Sequence, residues 1–302
     1  MKAVVMQGYG DPEVLVWQDF PDPLPGPGEV LVKTAAASIN PVDLLQRAGG
    51  LQPWFPMQFP NVMGWDISGT VVALGPGVTD FAVGDRVFAW AFHTYAELCA
   101  VKTDILARVP NEVDLVDAGA LPLATTTGSQ LISGASGIGR GQTILVSGAV
   151  GSVGRAAVCT AKDRGAVVIA GVRSDQMSKA KALDVDSVVA LDDDAALAAL
   201  PPVDVVANAV RGKTAEILLS KVKEGGTFAS VTGVPDNANA YPSVRSIAFV
   251  SKQNPETLRY VVEAVRDGRL EIPIVQRLPM REAAEAHVAM AKGPDGKILL
   301  VA

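Results

Sequence analysis

Cysteine and histidine are scarce in this chain, with two of each among 302 residues. Cys99 and Cys159 lie 60 positions apart and form no CxxC pair, so no disulfide framework is implied and a reducing cytoplasm is the expected setting. A structural zinc site typically needs four cysteines, and a catalytic one needs three Cys, His or carboxylate ligands. His93 and His287 stand in no recognisable metal or triad motif and are not read as catalytic. Charge of one sign is nowhere concentrated. The net charge of −6 without a like-charged block argues against a nucleic-acid or anionic-membrane surface. Long apolar runs are missing too. The opening MKAVVMQGYGDPEVLV holds a run of only four, short of a secretion-signal core, and no segment approaches the ~18 apolar residues of a membrane span.

What is present describes a globular protein: 49% hydrophobic and 19% charged residues. A chain of this length has room for two domains and buries roughly 75% of its unfolded surface. Up to about residue 110, short β segments such as KAVVM, EVLVKTAAASI, DISGTVVALG, DRVFAWA and YAELCAVK are broken by turn signals such as PLPGPGE. That texture predicts an irregular antiparallel β domain. From about 141, strands alternate with helices: QTILVSG, a helix SVGRAAVCTAKDRG ending at Gly165, AVVIAGV, a helix near 175–183, SVVAL, VDVVANAV, a helix over 213–223, and GTFASVTG. Alternation of this kind predicts a doubly wound parallel sheet, an α/β fold. A helix NPETLRYVVEAVRDG and a last strand GKILLVA follow, and the strand is expected to return to the first domain because it has no partner nearby.

The strand TILVS runs into Gly148-Ala149-Val150-Gly151-Ser152-Val153-Gly154 and then a helix. This is a displaced GxGxxG with Ala149 at the first position. Gly151 would let backbone approach a pyrophosphate, and Gly154 would let helix and strand pack closely. The helix start turns its free N–H groups and positive dipole end toward phosphate. Where a chain selective for NAD usually places an acid, at the end of the second strand, this one reads Gly171-Val172-Arg173-Ser174. Arg173 and Ser174 are suited to a 2′-phosphate, which makes NADPH the expected coenzyme. A solvated surface arginine is the competing reading, and a merely tight βα turn competes for the glycines.

With these pieces in place the chain resembles the medium-chain dehydrogenases/reductases, in their zinc-free quinone oxidoreductase (zeta-crystallin-like) branch, over nearly its whole length. The resemblance is carried by INPVDLLQRAG (39–49), PNVMGWDISGTVVALGPGVTDFAVGDRV (60–87), ALPLATTTGSQLI (120–132), GAVGSVG (148–154) and the closing AFVSKQNPETLRYVVEAVRDGRL and GKILLV. It implies a Rossmann NADPH-binding domain over 123–269 and a GroES-like irregular β-barrel substrate domain over 1–122 and 270–302. Zinc-dependent relatives carry His and Glu where this chain has Trp65 and Asp66, and a Cys near Asn40. The GWD stretch therefore reads as a former metal position filled by bulk, with no metal bound.

The resemblance also implies polar contacts near the nicotinamide from Asn40 and Asp43, although Asn-Pro is also an ordinary turn start. The branch's Tyr, five residues past that Asn, is Leu45 here, so a tyrosine-assisted step is not implied. Thr127 matches a threonine lining the coenzyme site, and Thr232, Gly233, Phe249 and Val250 match positions touching the nicotinamide half. Trp65, Trp54 and Phe55 are candidates for an apolar substrate wall, with core or loop packing as the alternative. The expected activity is NADPH-dependent reduction of quinones or α,β-unsaturated carbonyls by a homodimer. The coenzyme would carry the chemistry, and hydrogen bonds would stabilise the developing anion. Without ligands for a Lewis-acid metal, alcohol oxidation is disfavoured. An enoyl-thioester reductase and a redox-inert NADPH-binding protein remain alternatives.

Overall fold

The computed structural model describes residues 1–302, which form two compact units. The first comprises Met1–Leu123, Gln253–Gly268 and Ile272–Ala302, and the second Ala124–Lys252 with Arg269–Glu271.

The second unit is built on a six-stranded parallel sheet. Its order is Ser187–Ala190, Val167–Val172, Thr143–Ser147, Val203–Asn208, Val222–Ser230 and Arg245–Ala248. Counted within the unit this is 3-2-1-4-5-6, the doubly wound order, with its switch point between the strands starting at Thr143 and Val203. The apolar runs read as strands because both faces are covered. Ile144, Val146, Val168, Ala170, Val205 and Ala207 enter one core cluster. Their alternates Leu145, Ile169 and Val206 enter the cluster on the opposite side. Each fully buried Val, Leu or Ile contributes about 1.5–3 kcal/mol against exposure, so a one-residue slip would exchange both layers at great cost.

The first unit holds a seven-stranded sheet centred on the ten-residue strand Glu29–Ser38. Asp66–Leu74, Leu98–Lys102 and the final strand Lys297–Val301 all pair with it antiparallel. The last strand therefore docks beside residues 36–38, in register Leu299↔Ser38. Gly69, in DISGTVV, is required where two strands approach: a Cβ there would lie 2.7 Å from Val32 Cγ1 and overlap the Lys33 carbonyl. A separate three-stranded sheet joins Val16–Asp19, Lys2–Met6 and Asn61–Val62.

One placement differs from the division read at residue 270. The helix Pro255–Arg266, capped by the Asn254 side chain on Thr257 N, belongs to the first unit. It buries Leu258, Val261, Val262 and Ala264 and packs against the strand Leu106–Arg108. Its amphipathic face specifies that it must be covered, but not by which domain.

Candidate active site

The turn at 148–154 follows from two glycines with different duties. Gly154 is demanded by the fold, since a Cβ there would fall 2.7 Å from Ala149 Cα and overlap the Gly148 carbonyl oxygen. At Gly151 a Cβ would meet only that same oxygen, at an ordinary 3.4 Å. Gly151 is the N-cap of the helix Ser152–Asp163 and has no side chain to cap it. The first-turn N–H groups are thus left for an outside acceptor, at the positive end of the helix. Backbone space and donors together fit a dinucleotide pyrophosphate. Arg155, which no motif singles out, braces the turn by donating Nε–H to Val150 O at 3.0 Å.

At the end of the next strand, Arg173 and Ser174 are adjacent but already engaged. Arg173 donates from Nε and Nη2 to the two carboxylate oxygens of Asp175, at 3.1 and 3.4 Å. Ser174 donates both its N–H and its hydroxyl to Asp192 Oδ1, each at 2.8 Å. The Ser174 hydroxyl, helped by the Arg173 charge, holds the Asp192 carboxyl below its usual range.

Across the switch point a polar knot ties three parallel strands. Asn208 accepts from Ser147 Oγ at 2.8 Å and donates to Val210 O, Ser230 Oγ and Thr232 Oγ1. Thr232 precedes Gly233, whose φ is +99°. Phe249 N donates to Ser230 O, and Thr127 Oγ1 lies 2.8 Å from Ser251 Oγ. Gln130 clamps Lys252 from both sides. Of the expected positions, Thr232 and Phe249 are joined through Ser230, Gly233 follows Thr232, Thr127 bonds instead with Ser251, and Val250 is exposed.

In the first unit, Asn40 and Asp43 lie in a buried charged cluster. Asn40 begins the helix Pro41–Arg47, and Asp43 reaches back to the Asn40 backbone N–H at 2.8 Å. The Asn40 side chain turns away from the helix. Its Nδ2 donates to Asp66 Oδ2 at 2.8 Å, and its Oδ1 accepts from Lys297 Nζ at 2.7 Å. Asp66 also accepts from Ser38 Oγ and from the Leu123 N–H, and Lys297 Nζ lies 3.7 Å from its Oδ2. All five side chains are buried. Burial pushes Asp43 up to about 7, partly offset by the Asn40 N–H and reinforced by the Asp66 charge. Burial also lowers the Lys297 ammonium, against the pull of Asp66 and Asp43. Asp43 Oδ1 has no geometric hydrogen-bond partner, and the neighbouring Tyr95 hydroxyl donates to Ser38 O. Two carboxyls and one ammonium are neutral together when Asp43 keeps its proton. Lys297 and Ser38 went unnoticed in the sequence, since a lysine opening GKILLV and a serine ending a strand are ordinary residues.

Trp65 lies within an aromatic group. It stacks on Trp90 with centroids 6.3 Å apart, and Phe92 and Phe55 meet it edge-on. Its indole N–H donates to Gln46 Oε1 at 2.5 Å. Trp54 stands outside this group and is 71% exposed. Leu45 is exposed on the helix that carries Asp43. His93 is bonded at Nδ1 to Val62 O, and His287 is buried with both ring nitrogens unpartnered. Cys99 and Cys159 are buried and form no disulfide. No group of three His, Cys, Asp or Glu side chains is gathered as metal ligands.

Residues 26–119 match the alcohol dehydrogenase GroES-like domain family, and residues 183–300 match the zinc-binding dehydrogenase family. The chain is 30% identical to a chloroplast envelope quinone oxidoreductase homolog of Arabidopsis thaliana, covering 99% of this chain and 98% of that one. It is 28% identical to a 2-haloacrylate reductase of a Burkholderia species, with the same coverage. Among solved structures, the mycobacterial protein Rv1454c complexed with NADPH is 28% identical, with a TM-score of 0.86 over 100% of both chains.

Proposed function

We propose that this chain, which belongs to the quinone oxidoreductase branch of the medium-chain dehydrogenase/reductase superfamily, is an NADPH-dependent reductase of quinones and α,β-unsaturated carbonyls that works without zinc. It is an oxidoreductase with a Rossmann-like sheet and a GroES-like domain. The observation that carries the coenzyme reading is the turn 148–154. Its fold demands Gly154 and leaves the space at Gly151 open before an uncapped helix.

When bound, NADPH would supply the hydride for an already electrophilic carbon or oxygen. The chain's residues bind and orient it: Ala149 to Gly154 for the pyrophosphate, Arg173 and Ser174 for the 2′-phosphate, and Thr127, Thr232, Gly233, Phe249 and Val250 for the nicotinamide half. Asn40 and Asp43 provide polar contacts to the reacting groups. Asn40 donates one amide hydrogen to Asp66 and keeps the second for an acceptor oxygen. Trp65 and Trp54 line the acceptor's apolar side. The zinc-free reading is supported by Asp66, whose oxygens are committed to Ser38, Asn40, the Leu123 N–H and the Lys297 cation.

The substrate class is supported by similarity to a quinone oxidoreductase homolog and to a 2-haloacrylate reductase. A homodimer in the cytoplasm completes the reading, the compartment supported by two cysteines that form no disulfide. No helix is long and apolar enough to cross a membrane.

The test is NADPH oxidation by the purified protein against quinones, enones and enoyl thioesters, with metal analysis of the same sample. Turnover of quinones or enones at dialysed, zinc-free stoichiometry is expected. Turnover confined to a crotonyl thioester would make it an enoyl-thioester reductase. NADPH binding with no turnover of any acceptor would leave a redox-inert binding protein.

A further inference from the structure

The parallel register of two neighbouring strands brings Ser174 and Asp192 face to face. Val167–Val172 and Ser187–Ala190 pair with Val172 opposite Ala190, and the chain continues two residues beyond each end to Ser174 and Asp192. There the Asp192 carboxylate takes both Ser174 donors on a single oxygen. The acids that follow are used differently. Asp193 caps the helix Asp194–Ala199 through Ala195 N and Ala196 N, and Asp194 is that helix's first residue. Of the three consecutive aspartates, Asp192 is the one turned to Ser174.

We propose that Asp192 sets the coenzyme preference of this chain by holding the Ser174 donors against a 2′-phosphate, so that the protein accepts NADH as well as NADPH. The inference rests on the coenzyme reading above. A phosphate dianion seated on Ser174 must displace the Asp192 carboxylate from its two donors, or lie within a few ångströms of it. Arg173, the cation on the same turn, is likewise held by Asp175 until the phosphate arrives. NADH presents a neutral 2′-hydroxyl, which meets no repulsion from Asp192 and leaves both carboxylate contacts intact. At this exposed site, repulsion between a dianion and one carboxylate at about 5 Å amounts to roughly tenfold in affinity. The preference for NADPH over NADH is therefore narrow, within about tenfold, despite the arginine.

The measurement is coenzyme binding rather than turnover, by fluorescence titration of the full chain with NADPH and with NADH. Asp192→Asn keeps an oxygen for the Ser174 donors and removes only the charge. It is expected to tighten NADPH about tenfold while NADH stays within twofold. Asp184→Asn, which removes an exposed acid near Lys162 in the same unit, is the control expected to change neither. An unchanged NADPH affinity in Asp192→Asn, an equal gain for both coenzymes, or the same gain in Asp184→Asn overturns this inference alone. Failure of the unaltered protein to bind either coenzyme overturns the proposed function and this inference with it.

Discussion

Lys297 donates its ammonium proton to the side-chain oxygen of Asn40 at 2.7 Å, across 257 residues of chain. With Asp66 holding the amide's nitrogen end, the orientation of Asn40 is set by charge on both sides. Lys297→Met would leave the buried Asp66 carboxylate with no cation, and loss of one partner of a buried pair costs about 3–5 kcal/mol. A clear fall in the urea midpoint is expected, with partial recovery when Asp66→Asn is added. A wild-type midpoint for Lys297→Met would contradict an ionised pair.

Asn40→Ala tests the same amide from the side of the chemistry. If its second Nδ2 hydrogen meets the acceptor oxygen chiefly in the transition state, kcat and kcat/KM fall together while NADPH affinity stays near wild type. Single-turnover oxidation of bound NADPH by a simple quinone makes the distinction. A wild-type rate would remove Asn40 from the chemistry and leave it a positioning element of the buried cluster.

Asp43 makes stability depend on pH in a sense opposite to that of most carboxylates. Its folded value is about 7 against 3.8 for the free side chain, so between those values the folded state holds a proton that the unfolded state has released. This contribution is fully present below about 3.8 and is lost as pH rises toward 7. Asp43→Asn, which mimics the protonated side chain and keeps an oxygen for the Asn40 N–H, should match wild type near pH 4 and surpass it increasingly up to pH 7. Denaturation at several pH values checks this. A constant difference between the two proteins across that range would refute a retained proton.

The two glycines of the 148–154 turn should separate folding from binding. Gly154→Ala places a methyl against the Gly148 carbonyl and is expected to lower the melting temperature. A Cβ at Gly151 meets only the Gly148 oxygen at an ordinary distance, so Gly151→Val should stay folded but lose NADPH. Circular dichroism melts with coenzyme titrations of both variants decide the matter. NADPH binding retained by Gly151→Val would place the pyrophosphate elsewhere.

Arg173→Ala should weaken NADPH more than NADH. A charged hydrogen bond is worth up to about 3 kcal/mol, but this guanidinium is exposed and must first leave Asp175, so the loss is expected nearer fivefold than a hundredfold. Equal losses for the two coenzymes, or a wild-type preference for NADH, would remove Arg173 from the 2′-phosphate site.

Local rules settled the parts of this protein that neighbours in sequence can specify. Alternating apolar strands and helices required a doubly wound sheet, and a strand running into GAVGSVG and then a helix marked the tight βα turn at 148–154. Each of these signals lies within one βα unit, where backbone geometry and periodicity leave few alternatives. The tertiary structure decided what depends on distant residues meeting. Asn40 and Asp66 are 26 positions apart and Lys297 lies 257 from Asn40, and none of the three alone looks different from a turn residue, a strand acid or an exposed strand lysine. Strand pairing gathers them where water is excluded, and only there do their charges have to be balanced against one another. Ser174 and Asp192 follow the same logic: each lies unremarkably two residues past its own strand, and the parallel register alone makes them partners.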